Sequence, residues 1–226
     1  MKRVLAILSL LCLHPALRGQ DIKSENLPDF HRVALTGKLS VVLSPSDHNA
    51  IEIKLINSDL SKIDWSIKEE KLNIRLKPST QKESSGEVRI YYRNLRAVEA
   101  SGANVRLDSV ITESLFSLSS AGGATIQGAF DTKDLTVSAE GNSALMLEGT
   151  TLYLTVRAMS KAKVDARNLE ARTATVTAQM GAEAFVWGTE KLDAHAGSNG
   201  VVYYKGDPEI LKVTEKMMGT VEQFSR

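Results

Sequence analysis

The sequence predicts an all-β protein built as a right-handed parallel β-solenoid, and three observations support this fold class. Between residues 95 and 206, a phrase of small residues followed by an apolar residue returns about every twenty residues. The segments between these phrases alternate apolar and polar side chains, as half-buried strands do. No convincing helical period occurs in residues 30–206. Because one coil of about twenty residues cannot close a core, stacked coils must share one.

The repeated phrase consists of an Ala or Gly, one variable residue and an apolar residue. Successive copies lie 16 to 22 residues apart, which is too irregular for a rigid array but typical of a solenoid. Since only small side chains tolerate close approach of neighbouring backbones, we expect these anchors at the turns between strands. The anchors are Ala103, Ala124, Ala144, Ala162, Ala184 and Gly200.

The segments flanking the repeat are less regular. Residues 30–94 predict irregular N-terminal strands, beginning with two short strands around a turn at Gly37. The tail, residues 207–226, fits two conformations, because its apolar residues match a helical stripe and also match two strands around a turn. In either conformation we expect the tail to cover an open end of the solenoid.

The N-terminus has the pattern of a secretory signal peptide, with Lys2 and Arg3 ahead of an apolar run. Cleavage after Gly19 would leave a polar leader, residues 20–29, and a single domain over residues 30–222. Cys12 allows a lipoprotein alternative, although Leu11 stands where a small residue normally precedes a lipidated cysteine. The sequence therefore predicts an exported protein that is periplasmic, associated with the outer membrane, or extracellular, with no membrane span in the mature chain.

Composition argues against several functional classes. Removal of residues 1–19 leaves 25 basic and 27 acidic residues, so the mature charge is −2 and no cysteine remains. A chain of this charge has no electrostatic drive toward nucleic acid. Its stability must come from packing and backbone hydrogen bonds rather than from disulfides.

The best cluster of charged residues lies in one coil, where Lys161, Lys163, Asp165 and Arg167 share a strand face by parity. A polysaccharide lyase or hydrolase would need carboxylates and bases gathered in this way. Alternation of charged residues with Ala and Val is also what any solvated strand face shows. We therefore expect a polar binding face here and predict no catalytic residues.

Other candidate sites have simpler explanations. The histidines at 31, 48 and 195 lack metal-ligand spacing, so we predict no metal and no cofactor. Asn104, Asn142 and Asn199 suit tight turns or bonds between neighbouring coils.

Four aromatic residues could form a sugar-binding platform if they converged, namely Trp65, Trp187, Tyr203 and Tyr204. Adjacent strand residues face opposite sides, so Tyr203 and Tyr204 cannot both line one surface. Packing in the core or at the ends is the simpler interpretation.

These motifs together resemble a known family. The relevant pieces are the spacing of Phe30, Val33 and Gly37, the Leu72-x-Ile74 strand, the turns at 101–103 and 122–124, and the ending Tyr203-Tyr204-Lys205-Gly206-Asp207-Pro208. They resemble the putative auto-transporter adhesin, head GIN domain family of bacterial exported proteins over residues 28–222. The resemblance implies a parallel β-helix similar to pectin-lyase-like solenoids and supplies no catalytic residues. Lys161-Ala162-Lys163 departs from the glycine-rich pattern, so the register of that coil is uncertain.

Three functional hypotheses follow. The leading one is a non-enzymatic exported module that presents a regular strand surface to a surface glycan or to an envelope or host protein. The second is a protein that binds or cleaves polysaccharide on one solenoid face, which charges and aromatic residues gathered in one groove would favour. The third is a module that self-associates through the edges of the solenoid.

Overall fold

The computed structural model describes residues 22–56, 60–78 and 85–224. Strands account for 71% of the described residues, which form no α-helix, only a short 3-10 turn at Leu60–Lys62. The all-β prediction is therefore confirmed. The predicted signal peptide, residues 1–19, and Cys12 lie outside the described residues.

Seventeen strands are described. They are β1 Ile22–Asn26, β2 Arg32–Thr36, β3 Leu39–Pro45, β4 Ala50–Ile56, β5 Ile63–Lys68, β6 Lys71–Leu76, β7 Ser85–Tyr92, β8 Ala97–Ser101, β9 Asn104–Leu107, β10 Leu115–Ala121, β11 Thr125–Ala139, β12 Ala144–Ala158, β13 Lys163–Gln179, β14 Glu183–Gly197, β15 Val201–Lys205, β16 Ile210–Lys216 and β17 Thr220–Gln223.

The strands form two parallel faces of a β-solenoid. The first sheet runs β6-β2-β8-β10 and continues through the C-terminal halves of β11 to β14 to β16. The second sheet runs β7-β3-β9 and continues through the N-terminal halves of β11 to β14 to β15 and β17. From β8 onward the chain winds through about seven turns, so the solenoid prediction is confirmed.

The core forms because the strands are in register and alternate strictly. One inward row stacks Ile126, Leu145, Val164, Ala184 and Val202, all essentially inaccessible to solvent. Like residues therefore lie above one another, about 4.8 Å apart, and each coil covers the apolar face of the next. The row is the shared core that a single coil could not build.

Each coil passes from the first sheet to the second through a tight corner. Most of these corners contain two consecutive residues with positive φ, such as Gly122 and Gly123 or Ser198 and Asn199. The next residue points inward, and in every coil but the last its carbonyl accepts a hydrogen bond from the following coil. These inward residues are Ala103, Ala124, Ser143, Ala162, Ala182, Gly200 and Gly219, spaced 18 to 21 residues apart.

Two of the sequence anchors are therefore wrong. Ser143 rather than Ala144, and Ala182 rather than Ala184, occupy the inward corner, because the backbone ladder pairs Ala144 with Thr125 and with Lys163. With the corrected residues the repeat becomes more regular than the sequence alone suggested.

The N-terminal strands are less irregular than predicted. β2 and β3 form one coil. β6 pairs with β2, and β7 pairs with β3, on the side away from the rest of the solenoid, although both strands come later in the chain. Antiparallel strands close this end, with β5 against β6 and β4 against β7. β1, which lies in the predicted polar leader, pairs antiparallel with β4. Antiparallel strands at the end stop the parallel stack from continuing.

The C-terminal tail adopts the strand conformation rather than the helical one. β16 and β17 add a last coil around a tight corner at Met217 and Met218, both with positive φ. In this coil Leu211 and Val213 stand 43% and 48% exposed.

Candidate binding groove

The second bend of each coil, which we call the wide corner, carries polar residues. Here β11 to β14 turn from the second sheet to the first at residues 131–133, 150–152, 170–172 and 188–190. In-register pairing stacks Asp131 on Thr150 and Thr150 on Glu170. The bends line a cavity of about 570 Å³ that crosses five successive coils.

Hydroxyl groups hold the floor of this cavity in place. Thr132 donates a hydrogen bond to Thr151 at 3.0 Å, and both side chains are buried. Above them, Thr150 donates to a carboxylate oxygen of Asp131 at 3.0 Å. These bonds join β11 to β12 and fix the exposed carboxylate before any ligand arrives.

Charged groups along the cavity alternate in sign. Arg172 forms a 2.6 Å ion pair with Glu190, and the hydrogen bond that it donates to this carboxylate raises the pKa of Arg172 above its ordinary value. Lys133 and Glu170 line the same cavity. The surface therefore presents fixed donors and acceptors without a block of one charge.

A second cavity, of about 530 Å³, adjoins the first along the start of the first sheet. The two cavities meet at neighbouring residues of the chain. Ser114 lines the first cavity and Leu115 lines the second; in the next coil, Lys133 lines the first and Asp134 the second. We call the combined feature the wide-corner groove. It spans coils from β6 to β14, which corresponds to a length of about 34 Å.

The second cavity contains a buried nitrogen without a partner. Nδ1 of His31 is inaccessible and makes no hydrogen bond, while Nε2 lies 4.0 Å from the carboxylate of Glu70. Arg96 also lines the cavity, and within the described ranges it has no ion-pair partner. This end of the groove therefore has unused hydrogen-bonding capacity.

The charged coil predicted from the sequence lies elsewhere, on the second sheet. Lys163 pairs with Glu183 at 3.2 Å, and Nε of Arg167 donates to Asp165 at 2.8 Å. Lys161 does not share their strand face as predicted, because it occupies the tight corner with a φ of 63°. The charges of this coil are thus largely satisfied by one another.

The register of this coil does shift, but its corner at Lys161 is regular, since Ser160 and Lys161 take positive φ as in the other tight corners. The pairing of β13 with β14 shifts between Asp165 and Glu170, where three more residues of β13 lie opposite a short stretch of β14. The bulge lets Arg167 reach back over the ring of Phe185, 4.4 Å from its centroid.

The four candidate aromatic residues do not form one platform, and only Tyr203 and Trp187 lie on the same sheet surface. Tyr203 stacks on Phe185 at 4.6 Å, and Trp187 lies on the same sheet under the ammonium group of Lys205 at 3.9 Å. Tyr204 points into the core, and Trp65 packs beside Lys23 at the antiparallel end of the solenoid. Neighbouring side chains cover these rings, which is typical of packing rather than of an open platform.

The sequence interpretation missed the wide-corner groove. Its residues are polar bends about 19 residues apart, which look like ordinary solvated turns. The signal that could have identified them is the recurrence of a Thr or charged residue at 131–133, 150–152, 170–172 and 189–190. Among the described residues, no group of three or more His, Cys, Asp or Glu side chains could hold a metal ion.

The fold and the groove place the chain in the class of parallel β-solenoids, and comparison with known families makes the class specific. Residues 29–208 match the model of the family described as putative auto-transporter adhesin, head GIN domain. The chain belongs to this family.

Several solved structures have a similar fold. A putative adhesin from Bacteroides fragilis NCTC 9343 is 18% identical with a TM-score of 0.83, and one from Parabacteroides merdae ATCC 43184 is 19% identical with a TM-score of 0.70. A putative lipid binding protein from Parabacteroides distasonis ATCC 8503 is 16% identical with a TM-score of 0.69. Each alignment covers 92% of this chain and 98% of the other. At these identities the likeness establishes the fold alone.

The comparison with curated proteins gives no match. Across the described part of the chain, no helix has the length and apolar character needed to cross a membrane. Membership of an adhesin family fits an exported or surface protein.

Proposed function

We propose that this protein is a non-enzymatic, exported adhesion module that holds an extended partner along the wide-corner groove. The observation that carries the proposal is the geometry of the groove, which crosses many successive coils and is lined by their polar bends. A site of this shape suits a chain-like ligand that runs parallel to the solenoid axis. The adhesin names of the family and of the structural neighbours support the same general role.

The rigidity of the groove supports binding. Its polar groups stand on paired strands rather than on mobile loops, and buried threonine bonds tie neighbouring coils together. Preorganised groups lose little conformational entropy when a ligand binds. A long, shallow site of this kind gains affinity by repeating modest contacts along its length.

The proposal is tested by a binding screen of the mature protein against polysaccharides and matrix proteins. Two double variants then compare the two polar surfaces. Lys133→Ala with Arg172→Ala removes cations from the groove, while Lys163→Ala with Arg167→Ala removes them from the second sheet. We expect the groove variant to weaken binding of the best partner by at least about tenfold. Loss only in the second-sheet variant would show that the groove is not the site.

A polysaccharide-cleaving enzyme is the competing function, because Asp131, Glu170 and Glu190 line the same groove as Lys133 and Arg172. Against catalysis, Glu190 is already engaged by Arg172 in a 2.6 Å ion pair, so its carboxylate is not free to act as a general acid or base. Release of reducing ends or of unsaturated sugars from any polysaccharide in the screen would overturn the non-enzymatic proposal.

The proposed location is the cell envelope or beyond, on the periplasmic, outer-membrane or extracellular side. Cell fractionation followed by protease treatment of intact cells tests it. Recovery of the protein in the cytoplasm with residues 1–19 still attached would contradict export.

A further inference from the structure

We infer that the wide-corner groove binds an uncharged glycan, with the sugar rings seated on a stripe formed by Leu115 and Tyr153. The inference rests on the proposed function and names the ligand class for the same groove. It follows from the charge balance of the groove, from its exposed apolar stripe and from its unused hydrogen-bonding groups.

The charges of the groove nearly cancel. The two cavities are lined by five carboxylates and four permanent cations, together with one histidine; these are Glu70, Asp131, Asp134, Glu170 and Glu190 against Arg32, Lys133, Arg96 and Arg172, with His31. A polyanion would meet as many repulsive as attractive groups along its length. A neutral chain meets only donors and acceptors, so the balance favours an uncharged ligand.

The groove also exposes apolar surface in a regular position. Leu115 is 66% exposed and Tyr153 is 48% exposed. Leu115 and Asp134 line the second cavity, and in-register pairing places Tyr153 beside Asp134, so the row continues to Tyr153 at the edge of the groove. The two apolar side chains stand two coils apart, about 9.6 Å. A sugar ring has an apolar face and a hydroxyl rim, and this row offers an apolar seat flanked by a carboxylate.

Hydrogen-bonding groups surround the seat at Leu115. Arg96 has no ion pair among the described residues, so its N–H groups can donate to a ligand. Ser117 and Thr136 add hydroxyl groups to the same cavity. A sugar hydroxyl group can accept from Arg96 and also donate to Asp134, whereas a carboxylate cannot donate to Asp134. The capacity left unused in the cavity therefore matches the rim of a neutral sugar.

Affinity electrophoresis and calorimetry with soluble β-glucan, xylan and galactomannan test this inference, with polygalacturonate and heparin as anionic probes. Leu115→Asn and Tyr153→Asn remove the seat. Met146→Asn is the matched control, because Met146 is 54% exposed on β12, the strand that carries Tyr153, but faces outward on the second sheet. All three sites are exposed, so folding should survive each change.

We expect at least one neutral polysaccharide to bind, with an affinity that changes little between 50 and about 500 mM salt. Each seat variant should weaken that binding about tenfold, and the control should not. Binding of anionic probes alone, with strong salt dependence, would overturn the inference and leave groove binding intact. Binding of a protein partner that the groove variants do not affect would overturn the groove proposal itself.

Discussion

Substitution of Gly200 by Ala should destabilise the solenoid strongly, because the tight corner at this position leaves no room for a methyl group. A Cβ at Gly200 would overlap the carbonyl oxygen of Ala178 and lie 2.5 Å from its carbonyl carbon. These atoms belong to the backbone of the adjacent coil, so they cannot move without breaking the ladder. Overpacking of this kind costs about 3 kcal/mol. For a chain of this length, the cost corresponds to a fall in Tm of roughly 6–12 °C.

Gly123→Ala provides the matched control, because it separates backbone strain from steric overlap. Gly123 has a φ of 75°, and an added Cβ would meet no atom within 4 Å. The strain of a left-handed alanine costs about 1 kcal/mol, or a fall of about 2–4 °C. Thermal unfolding followed by circular dichroism, with urea unfolding in parallel, measures both variants. Equal losses, or a larger loss for Gly123→Ala, would refute the claim that close stacking of coils selects the residue at Gly200.

Three further outcomes follow from the same structure. Lys161→Gly should raise Tm by about 2–4 °C, because Lys161 holds a φ of 63° at an exposed corner; an unchanged or lower Tm would contradict this. Ser120 and Ser143 share a buried 3.0 Å hydrogen bond, so each single Ala variant should lower the free energy of unfolding in urea by about 1–2 kcal/mol. The double variant should lose less than the sum of the two, and additive losses would contradict a shared bond. Burial raises the pKa of Tyr92 above its ordinary value near 10, so the unfolded state loses this proton first and stability falls as pH rises above about 10. Tyr92→Phe should flatten that fall in urea midpoints measured from pH 9 upward, and an equally steep fall would exclude Tyr92 as its source.

The repeat and its corners could be predicted from the sequence because their causes are local. Alternation of side chains defines a strand, and a positive φ favours residues such as Gly123 and Asn199. Asn104 also behaves as expected, accepting a hydrogen bond from Thr125 of the next coil. The register of the strands was harder to predict, because Ser143 and Ala144 are adjacent small residues. Only the backbone hydrogen-bond ladder between coils decides which of the two turns inward.

The remaining features depend on contacts that local pattern does not encode. Nothing in the strand pattern of β6 and β7 indicates that they stack outside β2 and β3, against the order of the chain. The groove escaped prediction for a related reason. Leu115, Asp134 and Tyr153 look unrelated in the sequence and become one row only after the coils are in register.

Hydroxyl-radical footprinting by mass spectrometry tests the central claim, that the wide-corner groove is the binding surface, most directly. The mature protein would be labelled with and without the polysaccharide that binds it best. Leu115 and Leu152 line the groove and Tyr153 lies at its edge beside Asp134; all three are exposed. Met146 and Met180 are exposed elsewhere and serve as internal controls. We predict that the ligand protects the first three side chains and leaves both methionines reactive. Protection of Met146 with Tyr153 unchanged would contradict the claim and locate the partner on the second sheet.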